Sequence, residues 1–488
     1  MTEANRPAGH RSTYSGTAYD LLCEVESLAQ KLIAFDFETA ANLWTFQLDL
    51  LDLQQTIQKE VSEEKIRAKI TKGSTEPLKE LQAVRWHARR LGDAFAWTVL
   101  GVDRGAIYPF AENNPVPIPQ KGHGTDGLLA ISTHLAGEGW GFPLLHDITD
   151  TLRIGDVTFI ERQSREHRTV EVKTRHLNST LGEDGKRSTE YDVSITFLAT
   201  RESGLKLGYG SAPDSHKANS GMHAPTPSTR KEDRRLAQQR RRMSKALALR
   251  DGIPDTVIEV EGMKTILTKI NSPTGSHWDA VKKMIREAKA NGYASMHIDE
   301  SFGYIALYNS TGVTLEMTQN PQIAEDVRVL ATTPPGSKHQ NSLSLSSIPE
   351  EEGRSANLHL PFYLYSIHPE DISDLLHGRL LIVAFANAGT LASAIERDGV
   401  DVEIPKRGNP LSSMTFSHTI TDKEGRQYYA RGYSLTLHIR ESIFEFRGVE
   451  YIREIVRQLR DATGVAADEV SRHRDSAPQD NADERRPL

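Results

Sequence analysis

The stretch LRIGDVTFIERQSREHRTVEVKTR, residues 152–175, decides how the rest of the chain is read. Val157 and Phe159, then Val170 and Val172, alternate with polar residues at the period of two that marks half-buried strands. Between them IERQSREHR, residues 160–168, is short and polar enough for an antiparallel hairpin. Glu171 and Lys173 then project from one face of their strand, while Val170 and Val172 turn the other way into a core. The same pairing can bring Asp156 alongside Glu171. Two carboxylates so placed make a hard, oxygen-rich site suited to Mg²⁺ or Mn²⁺. A lysine beside them can orient or help deprotonate a metal-bound water and neutralise charge developing on a phosphoryl oxygen.

Context, not the tripeptide, carries this reading. Glu-x-Lys occurs three times, at Glu63-Glu64-Lys65, Glu171-Val172-Lys173 and Glu287-Ala288-Lys289. The first and third lie in charged helical stretches and read as solvated helix faces. Only the second sits in a strand-like run, with a Gly155-Asp156 pair in the run before it. Gly and Asp both run against strand propensity, which suggests a retained purpose. The bland alternative is a surface cross-strand ion-pair ladder.

At Asp156, Glu171 and Lys173 the chain resembles the PD-(D/E)xK, or restriction-endonuclease-like, nuclease superfamily, over residues 125 to 250. The resemblance implies an α/β fold with a mixed-sheet core. It also implies a Mg²⁺- or Mn²⁺-dependent nuclease, Asp156 and Glu171 holding the metal and Lys173 assisting the attacking water. The family often adds a Glu on the preceding helix; Glu138 is nearest, with Asp147 and Asp150 competing. Two departures stand out: no proline precedes Asp156, and TRHLNSTLGEDGKRSTEYDVSITFLATR, residues 174–201, reads as a β-hairpin extension where the family places a helix. That helix is expected at residues 230–250 instead. Bacterial genome defence or repair, a defence-system partner protein and a homo-oligomer are further implications of the resemblance.

Residues 230–250 hold nine Lys/Arg and two Asp/Glu, a local charge of +7 in a chain whose net charge is −7. Arg234, Gln238, Arg241, Arg242 and Lys245 fall on one broad helical face, with Arg235 beside them, and Leu236, Gln239, Met243 and Leu247 on another. Such a row of cations binds successive phosphates, DNA before RNA on the resemblance, with an affinity that falls as salt rises. Gln239, polar on the apolar face, is a further site candidate because it needs a partner if buried.

Working outward, 488 residues allow several domains. Residues 1–17 read as a polar arm. Residues 18–110 form a helical region, with Leu21, Leu22, Val25, Leu28 and Leu32, then Leu43, Phe46, Leu50 and Leu53, at helical spacings. A third helix carries Leu81, Val84, Ala88, Leu91, Phe95 and Val99 on one stripe, with Trp86 and Trp97 as core. Residues 111–331 hold the nuclease-like core and a following α/β segment, 332–357 a linker, 358–464 a C-terminal α+β domain and 465–488 a disordered tail.

Several function classes are excluded or disfavoured. A single cysteine, Cys23, rules out disulfide frameworks and multi-thiolate zinc sites and suits a reducing cytosol. No apolar signal core or 18-residue apolar run points to secretion or membrane spanning. Gly-x-Ser-x-Gly and Walker loops do not occur. Gly122, Gly124 and Gly127 match Gly-x-Gly-x-x-Gly, but the proline-rich segment before them cannot be a central strand. The expectation is a cytoplasmic, divalent-metal-dependent nuclease acting on nucleic acid, with a non-catalytic nucleic-acid-binding or sensor protein as the alternative.

Overall fold

The computed structural model describes residues 14, 16–34, 37, 39–111, 118, 122–161, 167–181, 187–197, 256–260, 263–267, 274–330, 338–339, 342–348, 358–405, 409–421 and 424–476. It divides into two compact units, one of residues 1–251, 309–312 and 349–380, the other of residues 252–308, 313–348 and 381–488.

The first unit opens with α1 (Gly16–Ile33), α2 (Ala40–Thr71) and α3 (Glu76–Val99). The expected helical pair and third helix are present, but α3 is not amphipathic in the way its sequence suggests. From Trp86 to Trp97 it is buried on every side, and Arg89, Arg90 and Asp93 are buried with the apolar residues. Phe46 of α2 stacks on Phe95 at 4.9 Å. Trp86 and Trp97 are core, as expected. A single-turn α4 (Arg104–Ile107) leads to α5 (His123–Gly137).

The sheet follows: β1 (Phe142–Leu145), β2 (Val157–Ile160), β3 (His167–Leu181) and β4 (Arg187–Phe197), paired in chain order. The hairpin of β2 and β3 pairs Val157 with Val170 and Thr158 with Thr169. The extension of β3 with β4 runs from Val170↔Phe197 to Leu181↔Arg187. Where the resemblance implies a mixed sheet, all pairings among these four strands are antiparallel. No crossover helix separates them, and only a crossover makes neighbours parallel. Strand β1 escapes the sequence reading because four residues are too few to show a period. Its edge is taken by a side chain: Gln47 Nε2 donates to Pro143 O at 2.8 Å, and Leu145 N donates to Gln47 Oε1 at 2.9 Å.

Later in the chain, FYL at 362–364 is a 3₁₀ turn, and Tyr363 Oη donates to His87 O at 3.2 Å within this unit. Glu26 of α1 accepts from His377 Nε2–H at 2.9 Å and from the Ser373 hydroxyl. The His377 hydrogen bond holds the Glu26 carboxyl below its ordinary value.

The second unit carries the hairpin β5 (Thr256–Val260) and β6 (Met263–Leu267), helix α6 (Trp278–Asn291), and strands β7 (Tyr293–His297) and β8 (Phe302–Tyr308). Gly292 ends α6 at φ 81°, the left-handed cap its sequence predicts. Trp278 anchors the helix start on Phe446, ring centroids 5.1 Å apart. Helix α7 (Pro321–Leu330) precedes β9 (Leu343–Ile348), a strand inside the segment expected as a linker. Its Leu-Ser-Leu-Ser-Ser-Ile hides from an apolar count because serines fill half of it, yet it pairs along β10 (Leu380–Asn387) from Ile382↔Ile348 to Asn387↔Leu343. In the first unit, α8 (Pro369–Leu376) precedes that strand. Helix α9 (Ala388–Glu396), strands β11 (Asp401–Glu403), β12 (Thr415–Thr421) and β13 (Gln427–Ser434), α10 (Thr436–Phe444) and α11 (Val449–Ser476) complete the second unit. Helix α11 continues beyond Gly464, where the sequence reading places the start of a disordered tail.

Among the described residues no helix is long and apolar enough to cross a membrane.

Candidate functional site

The site is built on the hairpin of β2 and β3 and on the loop of residues 146–156 that leads into it. Strand β2 starts at Val157, so Gly155 and Asp156 stand at its threshold instead of inside it. Gly155 has φ 82°, a left-handed conformation that explains the glycine. Asp156 N donates to Val170 O at 2.9 Å, and Asp156 Oδ2 accepts from Val172 N at 2.6 Å. The carboxylate therefore lies against the peptide between Glu171 and Val172, one register step beyond Val157↔Val170. Asp156 and Glu171 are brought together as the hairpin reading expects.

Burial of Glu171 separates this arrangement from a surface ladder. On the Asp156–Glu171 face, Thr158, Thr169 and Glu171 are 4%, 3% and 7% exposed, while Val157 and Val170 are buried on the opposite face. A buried carboxylate needs compensation that an exposed ladder does not. Lys173 follows Glu171 by two residues along β3. Its side chain lies outside the described residues, as do Arg234, Arg235, Gln238, Gln239, Arg241, Arg242 and Lys245. Glu138 is exposed on the turn that ends α5.

His146 fastens the loop to the hairpin. Its backbone N donates to Asp156 O at 3.0 Å. A carbonyl can only accept, so Nδ1 carries the proton and donates to Gly155 O at 3.1 Å. Nε2 is then the acceptor for Thr158 Oγ1 at 2.8 Å, and Thr169 Oγ1 lies 2.8 Å further on. Burial lowers the His146 pKa to about 4, which keeps the ring neutral and this arrangement intact at neutral pH.

Helices α2 and α3 hold the other end of the loop through its backbone. Arg89 donates to Asp147 O and Thr149 O, and its guanidinium pairs with Asp150 at 3.0 Å. Gln54 Nε2 donates to Ile148 O at 2.9 Å. Asp93 Oδ1 accepts from Asp150 N and Thr151 N, each at 2.8 Å, while Asp93 Oδ2 accepts from Arg90 at 2.8 Å. Burial raises the Asp93 carboxyl against the pull of Arg90. Gly92 lets the loop approach: a Cβ there would stand 1.8 Å from Ile148 O. These polar residues on apolar helices are what the sequence reading misses. A signal exists in Gln47 and Gln54, seven residues apart among the leucines of α2.

The loop also delivers Asp147. Its carboxyl is raised above the ordinary value first by burial, against the charge of Arg89 and with that of Glu171. Among the described residues no three His, Cys, Asp or Glu side chains are grouped closely enough to hold one metal ion. The carboxylates present are hard oxygen donors of the kind Mg²⁺ and Mn²⁺ accept, and Mg²⁺ in particular retains water and binds through only one or two carboxylates. Comparison of the chain with family models, with curated proteins and with solved structures found no match.

Proposed function

We propose that the hairpin of β2 and β3 is the centre of a divalent-metal-dependent nuclease that hydrolyses phosphodiester bonds of nucleic acid, DNA before RNA. One observation carries the reading: Asp156 is hydrogen-bonded to the peptide beside a buried Glu171, on the strand that continues to Lys173. The preceding order of α5, β1, β2 and β3, a helix followed by an antiparallel meander, supports the restriction-endonuclease-like likeness drawn from the motif.

In this reading Asp156 and Glu171 would hold Mg²⁺ or Mn²⁺, and the loop of residues 146–156 fixes their approach before any substrate arrives. A bound ion would supply Lewis acidity and lower the pKa of coordinated water. Lys173 would neutralise charge developing on the phosphoryl oxygen. Pre-set geometry of this kind accounts for the polar anchoring of an otherwise ordinary loop. The likeness further favours a cytoplasmic role in bacterial genome defence or repair.

The test is cleavage of supercoiled DNA, single-stranded DNA and RNA by the purified chain with Mg²⁺ or Mn²⁺. Asp156→Ala, Glu171→Ala and Lys173→Ala are each expected to reduce cleavage at least about a hundredfold, in line with removal of a group that stabilises the transition state. Cleavage undiminished in Glu171→Ala or Lys173→Ala would remove the site assignment. A second reading, a non-catalytic nucleic-acid-binding protein, is favoured by the use of Asp156 Oδ2 as a hydrogen-bond acceptor for Val172 N. It predicts salt-sensitive binding that EDTA leaves unchanged and that no cleavage accompanies.

A further inference from the structure

In the four-stranded sheet of the second unit, ordered β7-β8-β10-β9, strand β9 is an outer member. Its ladder with β10 continues one step past Asn387↔Leu343, where Ala388 N donates to Ser342 O at 2.9 Å. Backbone groups alternate in direction along an antiparallel strand, and those of Ser342 point at β10. Ser344, Ser346 and Ile348 therefore point the same way, while the N–H and C=O groups of Leu343, Leu345 and Ser347 face outward. Among the described residues no strand pairs with that edge and no partner reaches those groups. The edge also ends an apolar face. Leu345 sits opposite Phe385, which is buried with Ile305 and Leu307 and bordered by Leu343 and Val383. Leu345, next in line, is 61% exposed.

Open strand edges invite pairing, and three others in the molecule are blunted against it. Gln47 occupies that of β1, β11 is three residues long with Asp401 and Glu403, and β13 carries Arg431 and a register shift against β12. From Leu343 to Ile348, β9 has no charge, no proline and no such shift. We propose that β9 is a self-association edge, taken by β9 of a second copy of this chain in antiparallel pairing about Leu345. In that register Leu345 pairs with its own counterpart and Leu343 with Ser347 of the second copy. Three outward N–H donors on each strand, Leu343, Leu345 and Ser347, then give six hydrogen bonds between the chains. A shift in either direction leaves Leu343 or Ser347 beyond the end of the opposing six-residue strand. A second copy is the occupant because the strand is complementary to itself. It carries no charge to repel its own copy, Leu345 meets Leu345 where the Phe385 cluster ends, and Ser344 lies opposite Ser346 on the other face. A charged peptide would find no counter-charge there.

The full chain is tested by sedimentation equilibrium over a concentration series reaching about 100 µM. The fitted mass is expected to rise from 54.4 kDa towards twice that value. Leu345→Lys sets two ammonium groups against each other and is expected to raise the dimer dissociation constant at least about tenfold. Ser347→Pro removes an outward N–H and no bond to β10, and is expected to act in the same direction. Neither should lower the melting temperature of the dilute chain, because both changes fall on the exposed edge. Amide exchange at Leu343, Leu345 and Ser347 of the wild type, expected to be slower in concentrated than in dilute protein, reads the same edge without a substitution. A mass that stays at one chain throughout the series, a dimer unchanged in Leu345→Lys, or exchange indifferent to concentration would each overturn the proposal.

Discussion

His146 shows how much of the site rests on one protonation state. Its Nδ1–H serves Gly155 O and its Nε2 accepts from Thr158, so a second proton on the buried ring would also force the Thr158 and Thr169 hydroxyls to reverse their direction. Burial sets the pKa at about 4, against 6.5 for an ordinary histidine. Below 6.5 the unfolded chain takes up a proton that the folded chain refuses, so this contribution to stability is complete above 6.5 and lost as pH falls towards 4. The slope is roughly 1.4 kcal/mol per pH unit while only the unfolded form is protonated. His87, whose burial sets its pKa at about 3, adds a second histidine of the same sign. The raised carboxyls of Asp93 and Asp147 act oppositely, since they lose stability as pH rises towards their folded pKa, so the histidine effect is read by difference. Urea unfolding between about pH 6.5 and 5 should show a slope shallower by about one proton in His146→Gln than in the wild type. Equal slopes would mean that His146 is protonated in the folded chain.

At the scale of elements, α3 is the member that decides whether the site exists. Its Gly92 packs against the carbonyl of Ile148, and a methyl there would meet backbone at 1.8 and 2.7 Å, which no rotamer change relieves. Gly92→Ala is therefore expected to part the helix from the loop, at about 1–3 kcal/mol by urea unfolding. An unchanged urea midpoint in that variant would show that the loop does not depend on α3. The hairpin was legible because strand alternation and a motif coincide in one stretch, residues 152–175. The apolar stripes of α1 and α2 were legible for the same local reason. The function of α3 was not: Arg89, Arg90 and Asp93 look like a solvated face in sequence, and only the proximity of residues 147–151 makes them core. Likewise nothing local distinguishes Glu138, Asp147 and Asp150 as companions of Glu171. One ends exposed on a helix turn, one stands in the field of Glu171, and one is paired with Arg89.

For the whole molecule, the average charge conceals the relevant quantity. Residues 230–250 carry +7 of a total of −7, so the remaining 467 residues sum to −14. A polyanion is repelled by most of such a chain and attracted to one segment, which makes the segment decisive for where a phosphate backbone can lie, if nucleic acid is the substrate. The consequence is measurable. Replacing Arg234, Arg241, Arg242 and Lys245 together by Gln should weaken duplex binding about equally for unrelated sequences, because phosphate contacts carry no base information. The slope of log affinity against log salt should become shallower by about 0.9 for each phosphate no longer neutralised. Fluorescence anisotropy of a labelled duplex across a KCl series gives that slope, and Glu171→Ala, measured alongside, separates binding from metal-site chemistry. A slope unchanged by the four substitutions would mean that the positive segment does not touch nucleic acid and that the acidic remainder of the chain must find its partner elsewhere.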